Sequence, residues 1–285
     1  MKTRFIINPI AGTGKQKGIS KHIAKHFKNY DIVETKKPGD AKKLSLEAVN
    51  KQYQTIIAVG GDGTVNECLE SVINTKTALG VIPCGSGNGF ALHIGMLSSP
   101  KEAVKQLKKK NVKIIDTCTI NKIPFVNVSG IGFDAHIANL FSRLNKRGFI
   151  NYMKLIIKEL SYQPKEYVLE YNNQTQKISA YMIAFANASQ YGNNACISPL
   201  SKITDGLVDI IIVKKFAKWR IPLFLMKLFK GNLHMSKYVQ TIKCEKIKII
   251  TKEKLIHIDG EPLQVDQPIV INASPKTLKI LTPNE

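Results

Sequence analysis

Apolar positions in the first hundred residues come in short blocks whose period changes along the chain. Arg4–Asn8, Thr55–Val59 and Ala78–Ile82 carry near-continuous apolar runs, as strands buried on both faces do, and Asp31–Thr35 reads as a further strand. Between them, Gly18–Lys28, Ala41–Lys51 and Val65–Ile73 space their apolar residues at three and four, and Pro100–Lys110 closes the region with a charged helix. Strand alternating with helix predicts right-handed crossovers and a parallel sheet. The remainder has another rhythm. Lys113–Ile120, Pro124–Ser129, Glu166–Tyr171, Lys177–Asn187, Leu207–Lys214, Lys243–Thr251, Ile256–Asp259, Pro268–Asn272 and Thr277–Thr282 read as strands. Many alternate apolar with polar, as in Lys246-Ile247-Lys248-Ile249. An antiparallel β-sandwich is expected there, interrupted by helical insertions near Ile137–Leu160 and Ile221–Phe229. The fold class is therefore α/β followed by β, with domains expected at 1–115 and 116–285.

Composition changes this picture in one respect. The 285 residues include 42 Lys+Arg against 21 Asp+Glu, a net charge of +21. Such a field favours anionic partners: nucleic acid, anionic lipid or phosphorylated ligands. The charge is dispersed and no nucleic-acid reading motif accompanies it, so nucleic acid is not an expected partner. Oligomeric state is not legible. The five cysteines show neither zinc nor disulfide spacing, which suits a reducing cytoplasm. Phe5-Ile6-Ile7 is too short for a signal-peptide core, and no run is long enough to span a bilayer. The expected location is cytoplasmic, peripheral to a membrane.

The candidate chemistry lies where strands end. Gly60-Gly61-Asp62-Gly63-Thr64 falls between an apolar run and a helical pattern. Glycines there admit close backbone approach, and the following helix N-terminus favours an anion such as phosphate. Asp62 would repel phosphate by itself, which makes sense if Mg²⁺ intervenes directly or through water. Asn8-Pro9-Ile10-Ala11-Gly12 and Pro83-Cys84-Gly85-Ser86-Gly87-Asn88-Gly89 follow other strands, so one nucleotide could sit among three loops. Gly12-Thr13-Gly14-Lys15-Gln16 imitates a Walker A end, but Gln16 replaces the required Ser/Thr and Pro9 the first glycine.

At these loops the chain resembles the diacylglycerol kinase-like lipid kinases, which include bacterial lipid kinases and sphingosine kinases. Further blocks carry the likeness to the far end: Asn127-x-x-Gly130-x-Gly132-x-Asp134, Pro199 followed by Asp205-Gly206-Leu207-x-Asp209, and Asp259-Gly260-Glu261. The resemblance implies an N-terminal nucleotide-binding domain like those of NAD kinase and phosphofructokinase, a C-terminal β-sandwich that binds lipid, and an active site in the cleft between. It implies ATP- and Mg²⁺-dependent transfer of the γ-phosphoryl group to a lipid hydroxyl, of a diacylglycerol or sphingoid type. Asn8, Pro9, Ile10, Ala11, Gly12, Gly60, Gly61, Asp62, Gly63, Thr64, Val65, Asn66 and Ser86 would hold ATP, with Thr35 a further candidate. Glu261 corresponds to the proton acceptor, and Asp205 to a structural Mg²⁺ ligand joined by the carbonyls of Lys202 and Leu207. Asp259 is a second candidate base. On one strand its carboxylate and that of Glu261 would share a face, which would raise one pKa.

Two departures stand out: Asn88-Gly89 where many bacterial members have Asn-Asp, and Gly192-Asn193-Asn194 where most have a small glycine cluster. Lys214–Asn232 mixes Lys and Arg with Trp219, Phe224 and leucines, and reads either as a membrane-interface helix or as one packed on the sandwich. Arg143–Lys158 has the same ambiguity. Lys108-Lys109-Lys110 reads as a solvated helix end. His93 and His136 follow motif blocks, and His257 precedes Asp259 on one strand face, placed to tune it. The rival readings are an NAD-kinase-like small-molecule kinase and a non-catalytic nucleotide- or membrane-binding module.

Overall fold

The computed structural model describes residues 2–12, 14, 16–108, 110–144 and 148–283. Thr13 and Lys15 of the Walker-like string, Lys109 of the lysine run and Asn145–Arg147 of the Arg143–Lys158 segment lie outside the described residues. The chain forms two compact units, Met1–Asp116 with Lys276–Glu285, and Thr117–Pro275.

The first unit runs β1 (Thr3–Ile7), α1 (Ile19–His26), β2 (Tyr30–Glu34), α2 (Asp40–Asn50), β3 (Thr55–Gly60), α3 (Asp62–Val72), β4 (Ala78–Pro83), α4 (Gly89–His93) and α5 (Pro100–Lys108). Its strands are parallel in the order β2-β1-β3-β4. β1, β3 and β4 are buried throughout, as their continuous apolar runs require, whereas the edge strand β2 is half-buried. From β1 the chain crosses to one side for β2 and to the other for β3. This reversal makes the β1/β3 boundary a switch point, the place where open α/β sheets bind ligands at the carboxyl ends of their strands.

The chain leaves this unit through β5 (Lys110–Ile120). The second unit continues with β6 (Ile123–Phe125), β7 (Val128–Gly132), α6 (Phe133–Ser142), α7 (Phe149–Lys158), β8 (Lys165–Tyr171), β9 (Gln174–Ala186), β10 (Val208–Lys214), α8 (Ile221–Phe229), β11 (Val239–Cys244), β12 (Lys246–Ile250), β13 (Leu255–Ile258) and β14 (Glu261–Gln264). The last strand, β15 (Ile269–Pro283), pairs antiparallel with β12 and then parallel with β4, so its final residues return to the first unit. The other ladders of the second unit are antiparallel, with β9 between β7 and β8 and also pairing with β10. Tyr167, Ile183, Phe185 and Ile249 fill one apolar cluster, and Val128, Met182, Ile211 and Leu233 another.

Several expected elements differ for local reasons. Pro124–Ser129 is two strands, because Val126 and Asn127 give their amides to the Asp259 carboxylate instead of a ladder. Lys243–Thr251 divides at Glu245, whose carbonyl accepts from Ala273 N. Pro268–Asn272 and Thr277–Thr282 fuse into β15. The insertion at Ile137–Leu160 is a pair of helices, α6 and α7, with Gly148 at φ 137° preceding the second. α4 and β14 span only five and four residues, too few to show a period. Asn193 and Asn194, where most of the family resembled has glycines, both take positive φ (49° and 63°), a region asparagine tolerates.

His93 ends α4, half-buried. Burial, helped by Lys113, lowers its pKa from 6.5 to about 4. The folded imidazole stays neutral where the unfolded one takes a proton, so stability present above pH 6.5 falls as the pH drops towards 4. His93→Gln should remove that part of the acid sensitivity. The check is melting temperature between these pH values, where the variant's curve should be flatter.

Candidate active site

Four parallel strands deliver the predicted nucleotide residues to one edge of the first unit. Asn8–Gly12 follow β1, Thr35 follows β2, Gly60–Asn66 end β3 and open α3, and Ser86 lies after β4. Thr35 is buried on the far side of β1 from the glycine loops. The others converge. Asn8 Nδ2 donates to Thr64 Oγ1 at 3.2 Å across the β1/β3 switch point, while Asn8 Oδ1 accepts from Ile10 N and tightens its own turn. Ala11 is buried, Pro9 is exposed, and Ile10 is 82% exposed, an apolar face standing clear of the protein.

The glycines serve the protein's own packing first. A Cβ on Gly85 would lie 2.5 Å from Gly61 Cα, one on Gly60 would lie 2.3 Å from Thr64 Oγ1, and one on Gly12 would meet Cys84 O at 2.1 Å. Three loops therefore approach backbone to backbone, and side chains would part them. Asn88, at φ 58°, closes the third loop: its Oδ1 accepts from Gly85 N and its Nδ2 donates to Gly85 O.

Asp62 joins two of these loops. It is the first residue of α3, and its two carboxylate oxygens accept from Gly89 N and Phe90 N, each at 3.1 Å, capping α4. Burial pushes this carboxyl above the usual carboxylate range, with the amides of Phe90, Gly89 and Asn88 pulling against it. A carboxylate is a hard oxygen donor, the kind that suits Mg²⁺ held with substrate phosphates and water. Glu67 does parallel work one turn on, its carboxylate accepting from Gly39 N and Ala41 N at the start of α2. The sequence pattern contained Asp62 and Glu67, but nothing in it revealed which helix ends they would cap.

In the second unit, Asp259 and Glu261 do not share a strand. Asp259 and Gly260, at φ 47° and 93°, form the turn between β13 and β14, with Ile258 opposite Glu261. Two residues of positive φ make the hairpin turn that suits twisted strands. Asp259 is buried, and its oxygens accept from Val126 N at 3.1 Å and Asn127 N at 2.9 Å. Glu261 is exposed, and no hydrogen bond or ion pair to its carboxylate forms among the described residues. The two acids are thus separated: Asp259 braces the turn and Glu261 is presented by it.

A buried group beneath the turn was not foreseen as a unit. Asp134 Oδ2 lies 3.1 Å from both His257 Nε2 and Tyr191 Oη. Gly260 N donates to His257 Nδ1, which places the ring proton on Nε2, facing Asp134. His257 therefore supports the turn through Gly260 and bonds to Asp134, not to Asp259. Burial and the Asp134 charge raise the Tyr191 pKa, keeping its hydroxyl a donor. The Gly130-x-Gly132-x-Asp134 spacing follows, since a Cβ on Gly130 would fall 2.2 Å from Asp134 Oδ2. His136 pairs with Glu159 at 2.9 Å.

Around the expected Mg²⁺ ligands Lys202, Asp205 and Leu207, the Asp205 carboxylate already has partners within the protein. Asp205 Oδ1 accepts from Leu207 N, and Oδ2 lies 3.4 Å from Lys243 Nζ, which also reaches Asp209 Oδ1 at 2.9 Å. Buried Asp209 takes hydrogen bonds from Ser198 and Ser201 as well. Burial alone would lower the Lys243 pKa, but Asp209 and Asp205 outweigh it and raise it. The ammonium supplies the positive charge the loop needs. Among the described residues no cluster of three or more His, Cys, Asp or Glu could hold a metal. Without nucleotide, chelators should leave the wild-type melting temperature unchanged. Lys243→Met should cost up to about 3 kcal/mol, since Lys243 reaches solvent, and added Mg²⁺ should restore part of it. A chelator-induced drop in the wild type would contradict this.

Comparison with known proteins agrees with the geometry. The diacylglycerol kinase catalytic domain model matches residues 2–120, and the YegS C-terminal NAD kinase beta sandwich-like domain model matches 127–282. A probable lipid kinase YegS-like of Chromohalobacter salexigens is 30% identical over 79% of this chain and 75% of its own. A diacylglycerol kinase of Mycobacterium tuberculosis is 28% identical over 99% of this chain and 95% of its own. The crystal structure of a diacylglycerol kinase from Bacillus anthracis matches with a TM-score of 0.78 at 26% identity, covering 99% of this chain and 97% of that one. The chain belongs to the diacylglycerol kinase family of lipid kinases.

Proposed function

We propose that the protein transfers the γ-phosphoryl group of ATP, with Mg²⁺, to the hydroxyl of a membrane lipid of diacylglycerol or sphingoid type. One observation carries the nucleotide half: the Asp62 carboxylate draws the β3 and β4 loops together at the strand ends beside the switch point. The loop amides and the uncapped first turn of α3 then face the phosphates. Ile10 offers an apolar surface to the base. Bound Mg²⁺ would supply charge neutralisation for the transferring group, and Asp62 would hold it, directly or through water.

The acceptor half rests on Glu261. Its exposed carboxylate takes the proton of the attacking hydroxyl, while Asp259, with both oxygens committed to amides, fixes the turn that presents it. The acceptor lipid resides in a membrane, and a net charge of +21 draws the protein to an anionic one.

With labelled ATP, Mg²⁺ and a panel of lipid alcohols in anionic micelles, label should enter one lipid class. Glu261→Gln should cut turnover by about 10²–10⁴-fold with ATP binding intact. Asp259→Asn should instead lower stability by about 1–3 kcal/mol, by leaving a buried amide without its acceptor, and keep measurable turnover at low temperature. Equal loss of turnover in both, with no change in stability, would contradict this division and give Asp259 a part in the chemistry. Label on NAD would favour the small-molecule kinase.

Gly85→Ala should force the third loop away from Gly61 and raise the KM for ATP by about tenfold or more, with little change in the lipid KM. An unchanged ATP KM would mean that the contact of the two loops does not shape the nucleotide site.

A further inference from the structure

We propose that α8 and the turn before it form the docking surface for an anionic phospholipid bilayer, with Trp219 entering the interface. α8 reads Ile-Pro-Leu-Phe-Leu-Met-Lys-Leu-Phe, and none of its residues is buried. One face has an occupant: Phe224 and Leu228, with Phe216 before the helix, pack on the Val128–Met182–Ile211 cluster. The opposite face has none. Trp219 is 72% exposed, Leu223 and Met226 44% each, and Met235, in the turn after the helix, 70%. Trp219, Leu223 and Met226 are four and three residues apart, so they line one side.

Charge selects the occupant. From Lys214 to Lys237 there are seven Lys and Arg residues and no Asp or Glu. None of the seven pairs with a carboxylate among the described residues. Arg220 lies over the Trp219 ring at 4.2 Å and faces Tyr238 at 5.6 Å. Tryptophan, tyrosine and arginine around an apolar helix match the layering of a bilayer interface, where rings sit among headgroups and cations meet phosphates. A second copy of the chain would bring the same positive charge to the surface and repel it. The helix is too short to span: no helix among the described residues is long and apolar enough to cross a membrane. It therefore lies on the surface. This extends the proposal of an anionic membrane by naming the face that meets it.

Trp219 is the chain's only tryptophan and reports on this surface directly. The full chain is mixed with phosphatidylcholine vesicles, with or without phosphatidylglycerol, and without ATP or acceptor lipid. Binding by co-sedimentation should be about tenfold or more stronger on the anionic vesicles and should weaken with salt. On those vesicles Trp219 emission should shift to the blue and be quenched by lipids brominated along the acyl chain. Leu223→Glu with Met226→Glu should reduce binding by about tenfold or more, with the far-ultraviolet circular dichroism and ATP binding of the wild type retained. Vesicle binding with unshifted, unquenched Trp219 would overturn the proposal, as would wild-type binding by the double variant or equal binding to neutral vesicles. A Trp219 shift that depends on protein concentration without vesicles would assign the face to a second copy instead. Since the readout is binding, its outcome is independent of whether the lipid-kinase assay succeeds.

Discussion

The Asp62 carboxylate is the constraint on which the loops at the strand ends of the first unit depend. It sits at the start of one helix and accepts both leading amides of another. Those helices follow β3 and β4, adjacent strands of a parallel sheet. Parallel pairing by itself fixes where the strands end, but it leaves the loops beyond them free. Asp62 removes that freedom, and Gly61 and Gly85 make the resulting closeness possible because neither carries a Cβ. The carboxylate is compensated by backbone dipoles, which is how an acid drawn partly out of water is tolerated.

The same device recurs through the molecule. Glu67 caps α2, Asp259 takes the amides of Val126 and Asn127, and Asp209 takes two serine hydroxyls and an ammonium. Acids are half as many as bases in this chain, and several of them are spent on fixing loops. Glu261 differs in standing exposed at the head of β14, on a turn braced by its neighbour. That contrast separates an acid that shapes the fold from one whose carboxylate has no partner among the described residues. It also gives the Asp-Gly-Glu string its shape: Asp259 is the brace, Gly260 completes the turn, and Glu261 stands exposed at its end.

Much of the fold was legible because its signals are local. Continuous runs such as Thr55–Val59 gave buried parallel strands, and alternation in Lys246–Ile249 gave a sandwich strand. Failures came where a distant partner decides. Nothing near Val126 announces that its amide belongs to Asp259, 133 residues on, so the break between β6 and β7 could not be read. Nothing near Asp205 announces Lys243, whose ammonium lies 3.4 Å from its carboxylate. The site residues were visible as types at spacings. Their tasks were not: Asp259 and Glu261 looked alike on a line and differ once a turn separates them. The Asp134–His257–Tyr191 group drew its members from three distant segments, and no local pattern links them.

The most direct test of the account is the exchange rate of the Gly89 and Phe90 amides in Asp62→Ala, measured with ATP affinity on the same sample. The account predicts that both amides lose protection while the strand amides of β3 keep theirs, and that affinity for ATP with Mg²⁺ falls by about tenfold or more. Unchanged ATP affinity with both amides unprotected would contradict it, because the loops would then hold the nucleotide without the carboxylate that joins them.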